Sequence, residues 1–116
     1  MNNIPLGHFG EQIAVQYLTE KGYKILDTNF YTKFGEIDLI CECQGVIIFV
    51  EVKTRTNKQF GNPEGSVNKK KIENLISVAK QYMINKNQSW QIDVVSVLLK
   101  DGDADIDHFP NCIVQN

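Results

Sequence analysis

The chain has 116 residues, of which 42% are hydrophobic and 22% are charged, so it can form one domain with a modest core. Its formal net charge of −2 gives no overall attraction to nucleic acid. It contains no apolar run of about 18 residues, the length that a membrane-spanning helix requires. The first residues lack the basic and apolar regions of a secretory signal. We therefore predict a single domain over residues 1–116, in the cytoplasm and without a membrane partner.

The cysteines also favour a reducing compartment. Their number is odd, and Cys41 and Cys43 would lie on the same face of one strand, where a disulfide between them is unfavourable. Cys112 is far away in the sequence. Reduced thiols in a cytoplasmic protein fit this pattern best.

The first helix is predicted over residues 7–21, ending near Gly22, and a first strand follows over residues 23–30. Glu11 lies one turn before the apolar residues of the helix, on the same stripe. A glutamate there either stabilises the start of the helix through the dipole or points over the sheet into a functional site. The pattern leaves both interpretations open. The apolar stripe consists of Ala14, Val15 and Leu18.

Two apolar segments joined at Gln44-Gly45 are predicted to form a β-hairpin, because glycine accepts the positive φ of a tight turn. In a regular hairpin about this turn, Asp38 lies opposite Glu51 and Glu36 lies opposite Lys53. Glu51 and Lys53 are two residues apart and therefore share a face. A register error of one residue would move Asp38 to the other face.

The predicted pair of Asp38 and Glu51 suggests a metal site. Directly opposed residues have Cβ atoms roughly 4.5–5.5 Å apart, and two carboxylates at that range repel unless a cation lies between them. Mg²⁺ binds one or two carboxylates and keeps several waters. The pattern of Asp38, Glu51 and Lys53 therefore indicates Mg²⁺-dependent phosphodiester cleavage. The alternative is an ordinary cross-strand ion pair between Glu36 and Lys53.

A polar loop is predicted over residues 54–65 and a second helix over residues 66–85. Three consecutive lysines in the first turns of this helix oppose its dipole, a cost that a bound anion would remove. Residues 52–90 carry eight Lys and Arg against two Glu, so this region could bind phosphate although the protein is acidic. The lysines could equally solvate a helix face. They are Lys69, Lys70 and Lys71; the apolar face comprises Ile72, Leu75, Ile76, Ala79, Tyr82 and Met83.

Two further strands complete the predicted fold. Residues 92–99 are continuously apolar, which is typical of a strand covered on both faces, and residues 106–114 form a weaker edge strand interrupted by Pro110. The alternating aspartates of residues 101–107 lack the glycine and final glutamate of a Ca²⁺ loop, so we predict a solvated turn. Two helices and about five strands predict an α/β fold with a mixed sheet.

Several short motifs, taken together, resemble the YraN-like family of small bacterial proteins. Through fewer residues, the chain is also similar to PD-(D/E)XK nucleases, most closely the archaeal Holliday junction resolvases. The resemblance implies one nuclease-like domain with a restriction-endonuclease-like three-layer core, in which the N-terminal helix and a second long helix pack on the sheet. The motifs include Gly10-Glu11, Gly22-Tyr23, Asn29, residues 35–40 and 49–55, Gly61-x-Pro63, Lys71 and residues 93–95.

The chain departs from the family pattern at Tyr31, where the family has arginine, and at Ser66, where it often has alanine. The loss of an arginine weakens the expectation of a phosphate contact at that position. Lys33 could replace it as a point charge, without the two parallel hydrogen bonds that arginine makes.

The resemblance also implies roles for individual residues. Asp38 and Glu51 would bind Mg²⁺ or Mn²⁺, with the backbone carbonyl of Val52 as a third ligand. Lys53 would orient or deprotonate the attacking water. Glu11 would bind the metal through water or support a second ion.

Arg55, Lys69, Lys70 and Lys71 would contact nucleic-acid phosphates. The implied function is a Mg²⁺- or Mn²⁺-dependent endonuclease that cleaves DNA, including branched DNA such as Holliday junctions, and analogy with the resolvases suggests a homodimer. The alternative is a catalytically inactive module on a nuclease fold, which binds nucleic acid or another protein.

Overall fold

The structure is a computed structural model that describes residues 6–56 and 69–112. These residues form two helices and five strands, in agreement with the predicted α/β fold. The elements are α1 (Leu6–Glu20), β1 (Lys24–Thr32), β2 (Gly35–Cys43), β3 (Val46–Thr56), α2 (Lys69–Tyr82), β4 (Trp90–Lys100) and β5 (Asp103–Phe109).

The five strands form one mixed sheet in the order β1-β2-β3-β4-β5. The pair β3–β4 is parallel, and the other three pairs are antiparallel. Parallel strands need a crossover connection, and α2 lies between β3 and β4 in the chain. The predicted mixed sheet of about five strands is therefore confirmed.

The two helices pack on opposite faces of the sheet and make three layers. None of the described helices is long and apolar enough to cross a membrane. The continuously apolar β4 is covered on both faces, as predicted, because its residues enter both cores. The α1 side contains Ala14, Leu18, Leu39, Val50, Val95 and Val97, and the α2 side contains Ile40, Phe49, Leu75, Val78, Ala79 and Ile92.

The turn of the β2–β3 hairpin has the predicted geometry. Gln44 has φ 52° and Gly45 has φ 81°, so both central residues are left-handed, which suits a two-residue hairpin. Cys43 pairs with Val46, as the predicted register requires. The predicted register of the hairpin is therefore correct from the turn to the pair Leu39–Val50, which adjoins the candidate site.

The C-terminal hairpin corrects the prediction of a solvated turn over residues 101–107. The turn is restricted to Asp101-Gly102, and β5 begins at Asp103 rather than at Ile106. Exposed aspartates alternate with half-buried residues along β5. This alternation is the pattern of an edge strand with one face on the core. The prediction of a loop rested on the aspartates and did not take this period of two into account. Residues 113 and 114 lie outside the described part of the chain.

Two other predicted boundaries also differ from the structure. β3 continues to Thr56, so the polar loop does not begin at Thr54, and residues 57–65 of that loop lie outside the described ranges. α2 ends at Tyr82 rather than at Asn85. The first residues predicted for this helix, 66–68, are also outside the described ranges.

Candidate metal centre

Asp38 lies one residue beyond the last pair of the β2–β3 ladder, which is Leu39–Val50. The main-chain N–H of Val52 donates a hydrogen bond to Oδ2 of Asp38 at 2.8 Å. A carboxylate thus takes the place of a main-chain acceptor where the two strands separate. The buried amide is satisfied, and the carboxylate is fixed against the strand that carries Glu51.

The predicted direct pairs therefore need correction. Among the described residues, the β2–β3 ladder includes neither Asp38–Glu51 nor Glu36–Lys53. The β1–β2 ladder pairs Glu36 with Tyr31. The predicted register is right, but the strands diverge one residue before the pairs that were expected to form the site.

A local irregularity in β1 and β2 explains this divergence. Ile37 packs in the core on the α2 side, whereas Leu39, two residues later, packs on the α1 side. Regular alternation would place both on one face. Asn29 lies opposite this point in β1 with φ 52°, a conformation that asparagine tolerates better than most residues. The irregularity re-aims Asp38, much as bulges re-aim side chains beside functional sites.

Glu51 is only 6% exposed, and two lysines neutralise it. Oε2 of Glu51 lies 2.6 Å from Nζ of Lys71 and 3.4 Å from Nζ of Lys53. A buried carboxylate is costly unless a charged partner accompanies it. Lys71 was predicted to contact phosphate, but in the structure its ammonium group completes the carboxylate site.

Asp38 shares its site with other acidic groups. Burial and the charge of Glu51 raise the pKa of Asp38 to about 7, and the charge of Glu11 acts in the same direction. The hydrogen bond from Val52 opposes this shift. Asp38 thus lies in a region of negative potential, which a bound cation would reduce.

The two lysines of the site differ electrostatically. Burial lowers the pKa of Lys53, and the neighbouring Lys71 adds to this effect, against the pull of Glu51. Burial also acts to lower the pKa of Lys71, but its hydrogen bond to Glu51 and the nearby negative charges outweigh burial and raise it. Lys71 is therefore the more firmly protonated partner of Glu51.

Glu11 lies in the second turn of α1, because the helix begins at Leu6. It lines a cavity of about 330 Å³ together with Asn29 and other residues of α1, β1 and β2. Its charge acts on Asp38, which favours the interpretation that it points toward the site. The first turn of α1 contains no acidic residue, so Glu11 does not serve there as a dipole partner.

Gly10 brings Glu11 close to the sheet. A Cβ atom built on Gly10 would lie 1.8 Å from Oγ1 and 2.8 Å from Cβ of Thr54, so α1 crosses β3 in direct contact at this point. In the sequence, Gly10 stands out only as part of a family motif. A glycine inside a helix, where it costs roughly 1 kcal/mol relative to alanine, was the available signal of close packing.

Gly10→Ala is expected to destabilise the fold by about 1–3 kcal/mol, because overpacking exceeds the gain in helix propensity. The cost should be smaller in a Thr54→Ala background, which removes Oγ1 and Cγ2 of the clashing side chain. Urea unfolding of the four variants of this double-mutant cycle measures both effects.

Gly7→Ala is the matched control in the same helix. Apart from its chain neighbours and the backbone of its own helix, no atom of the described residues lies within 4 Å of a Cβ built on Gly7. This variant should be neutral or slightly stabilised. Equal effects of Gly7→Ala and Gly10→Ala on the free energy of unfolding would contradict the close approach of α1 to β3.

The predicted phosphate-binding residues occupy two elements. Arg55 is half-buried in β3, and strand alternation puts it on the face of Glu51 and Lys53. Lys69 is exposed at the first residue of α2, and Lys70 lines a cavity next to Lys71. A basic border thus lies beside the carboxylates on the α2 side.

The donor set fits a hard divalent ion. Within residues 6–56 and 69–112, no three His, Cys, Asp or Glu side chains are close enough to hold a metal ion by themselves. Mg²⁺ does not require them, since one or two carboxylates with water and substrate phosphates commonly suffice. Asp38 and Glu51 supply that smaller set of oxygen ligands, and Glu11 adds negative charge nearby.

The sequence matches the family described as "Uncharacterised protein family UPF0102" over residues 10–97 of the 116. The chain belongs to the UPF0102 family. The matched range of UPF0102 includes Glu11, Asp38, Glu51 and Lys53, so it spans the whole candidate site. The family predicted from the YraN-like motifs is therefore confirmed.

Relatives from several bacteria match almost the full length of the chain. A UPF0102 protein of Syntrophomonas wolfei is 47% identical over 112 residues, covering 94% of this chain and 97% of the relative. One of Alkaliphilus oremlandii is 42% identical over 114 residues, covering 94% and 97%. One of Clostridioides difficile is 48% identical over 102 residues, covering 85% and 90%. These names identify the family and state no activity.

A second polar cluster was missed by sequence analysis. Asp93 is fully buried in β4, and its carboxylate accepts hydrogen bonds from Tyr23 Oη at 3.1 Å, Gln91 Nε2 at 2.8 Å and the main-chain N–H of Asn111 at 2.9 Å. His108 Nε2 lies 2.7 Å from the same carboxylate. The available signal was a lone aspartate in an apolar strand, because a buried acid needs partners.

Proposed function

We propose that this UPF0102 protein is a Mg²⁺- or Mn²⁺-dependent endonuclease that hydrolyses phosphodiester bonds in DNA. The main support is the position of the Asp38 carboxylate where β2 and β3 separate, fixed by Val52 N–H next to Glu51. Lys53 lies beside them, 3.4 Å from Glu51. This combination suits a hard cation, a phosphate and an attacking water at one place.

Each residue has a role in this proposal. When bound, Mg²⁺ or Mn²⁺ would polarise the scissile phosphate and lower the pKa of a coordinated water. Asp38 and Glu51 would hold the ion through their carboxylates, assisted by the Val52 carbonyl and, through water, by Glu11. Lys53 would orient the attacking water and stabilise negative charge on the phosphate.

The basic border would bind the DNA backbone. Arg55, Lys69 and Lys70 would contact phosphates without reading sequence, so affinity should fall steeply as salt rises. Lys71 is part of the border as well as the partner of Glu51, and its side chain is 39% exposed. It can therefore face a phosphate without leaving the site.

Similarity to junction resolvases extends the proposal to branched DNA and to a homodimer in the cytoplasm. The direct test is Mn²⁺-dependent cleavage of labelled linear and four-way DNA by the wild-type chain and by Asp38→Asn. Binding of four-way DNA without cleavage in Mg²⁺, Mn²⁺ or Ca²⁺ would instead favour the non-catalytic module.

Mn²⁺ is expected to raise the melting temperature of the wild-type chain, more at about pH 8 than at about pH 6. Protons compete with the ion at Asp38, because burial and Glu51 raise its pKa to about 7. An ion at 100 times its Kd adds about 2.7 kcal/mol, or roughly 10 °C for a domain of this size. Calorimetry in EDTA and in MnCl₂ measures the difference.

Without the metal ion, in EDTA, the effect of pH on the stability of the fold has the opposite sign. Folded Asp38 keeps a proton that the unfolded chain releases near the ordinary value of 3.8, so its contribution to stability falls as the pH rises toward about 7. Asp38→Asn should lack both this pH-dependent contribution to stability and the rise in melting temperature with Mn²⁺. Asp105→Asn, on the exposed face of β5, is the control for unspecific Mn²⁺ binding. An equal Mn²⁺ shift in the wild-type chain and in Asp38→Asn would rule out this metal site.

A further inference from the structure

A cavity of about 380 Å³ opens beside the carboxylate site on the α2 side. Its volume falls within the range of roughly 300–1,000 Å³ that is usual for small-molecule pockets. It shares Lys71 with the site, since Lys71 both lines the cavity and contacts Glu51. A group bound in the cavity would therefore be a direct neighbour of any phosphate held at the carboxylates.

The cavity has an apolar floor and an aromatic wall. Leu75 and Val78 of α2 are buried and form the floor. Phe34, in the turn between β1 and β2, lines the cavity with 38% of its surface exposed. Its main-chain N–H donates to Oγ1 of Thr32 at 3.0 Å, which fixes the turn. An ordered turn thus presents an exposed aromatic ring.

Polar groups surround this apolar centre. Asn74 offers an amide that both donates and accepts hydrogen bonds, and Glu36 offers a carboxylate that accepts them. Lys70 and Lys71 add positive charge on the side next to the site. A flat apolar face, a polar edge and an adjacent anion are together the chemistry of a nucleotide.

We propose that this cavity receives an unpaired nucleobase, stacked on Phe34, from the strand whose phosphate lies at the carboxylates. The inference rests on the proposed function for the position of that phosphate. It specifies the substrate class as nucleic acid with an unpaired or splayed nucleotide at the cleavage point. A base inside an intact duplex is stacked on both faces and must leave the stack to reach such a cavity.

Charge favours this occupant over a protein side chain. An apolar peptide residue could fill the floor made by Leu75 and Val78, but it would bring no negative charge to the side of the cavity that Lys70 and Lys71 line. A nucleotide matches both features, because its base is apolar on its faces and its phosphate is negative. Lys33 Nζ lies 5.3 Å from the centroid of the Phe34 ring and adds positive charge near this aromatic side chain.

The test compares two duplexes that differ at one position. One carries a single bulged 2-aminopurine, and the other carries an abasic bulge. In EDTA, where no cleavage occurs, the wild-type chain should bind the first roughly 5- to 150-fold more tightly, the range expected for one stacked base. The 2-aminopurine fluorescence should fall on binding. Fluorescence anisotropy gives both affinities.

Variants of Phe34 test whether its ring causes the tighter binding of the 2-aminopurine bulge. Phe34→Leu should bring the ratio of the two affinities close to one, and Phe34→Trp should preserve it, because tryptophan stacks as well. Phe109→Leu is the matched control, since Phe109 is 43% exposed on β5 at the opposite edge of the sheet. It should leave the ratio unchanged. Unchanged melting temperatures show that the variants are folded.

The outcomes separate this inference from the proposed function. A wild-type ratio near one, or a ratio that Phe34→Leu leaves intact, overturns the base site even if Mn²⁺-dependent cleavage is found. A ratio that depends on Phe34 supports the base site even if no cleavage is found, in which case only the nuclease proposal fails.

Discussion

Asp38→Asn is expected to lower Mn²⁺-stimulated DNA cleavage by roughly 1,000-fold or more. The substitution removes one of the two carboxylates proposed to hold the ion, whose contribution to the transition state is several kcal/mol, at tenfold in rate per 1.36 kcal/mol. Asparagine keeps an oxygen that can accept the 2.8 Å hydrogen bond from Val52, so the fold should survive. Single-turnover cleavage of labelled four-way and linear DNA measures the loss.

Glu51→Gln should lower cleavage similarly, but it also removes the partner of Lys53 and Lys71. Its melting temperature must therefore be measured beside its activity. Asp105→Asn, on the exposed face of β5, is the neutral control and should cleave at the wild-type rate. If purified Asp38→Asn cleaved DNA as fast as the wild-type chain, the nuclease proposal would be wrong.

Asp93→Ala is expected to destabilise the fold by about 3–5 kcal/mol, because each buried hydrogen-bond donor that loses its acceptor costs about 1–3 kcal/mol. The substitution leaves Tyr23, His108 and the main-chain N–H of Asn111 without the acceptor that they share. The melting temperature should fall by more than about 10 °C. Urea unfolding and calorimetry measure the loss.

Asp105→Ala is the matched control for this loss. Asp105 is exposed and pairs with Lys100 at the surface of β4 and β5, where ion pairs contribute about 1 kcal/mol or less. The loss of stability in Asp93→Asn should lie between those of Asp93→Ala and Asp105→Ala, because asparagine keeps the shape of the side chain and part of its hydrogen bonding. If Asp93→Ala were no more harmful than Asp105→Ala, the Asp93 cluster would not stabilise the fold.

Much of the fold could be predicted because local patterns determine it. The Gln44-Gly45 turn sets the register of the hairpin, and the continuous apolar run of β4 requires cover on both faces. The predicted start of the edge strand β5, at Ile106, lies three residues after the observed start at Asp103, because its aspartates resemble those of a loop. Its period of two was present in the sequence and outweighed that composition.

The site was predictable only where its residues are close in sequence. Glu51 and Lys53 share a strand, so their contact follows from spacing. β2 separates from β3 at Asp38, beside Asn29 of β1 with its left-handed backbone conformation, and the contact of Lys71 with Glu51 depends on how α2 packs. Neither relation has a local sequence signature.

The contact between Gly10 and Thr54 gives a further way to recognise the proposed site in similar sequences. Glu11, which is proposed to support the metal ion, follows Gly10 in the chain, and the missing side chain of Gly10 lets α1 lie directly against β3. A chain that retained Glu11 but carried a larger residue at position 10 would hold its helix further from the sheet. The absence of a side chain at that position is thus a criterion for the site, beside its charged groups.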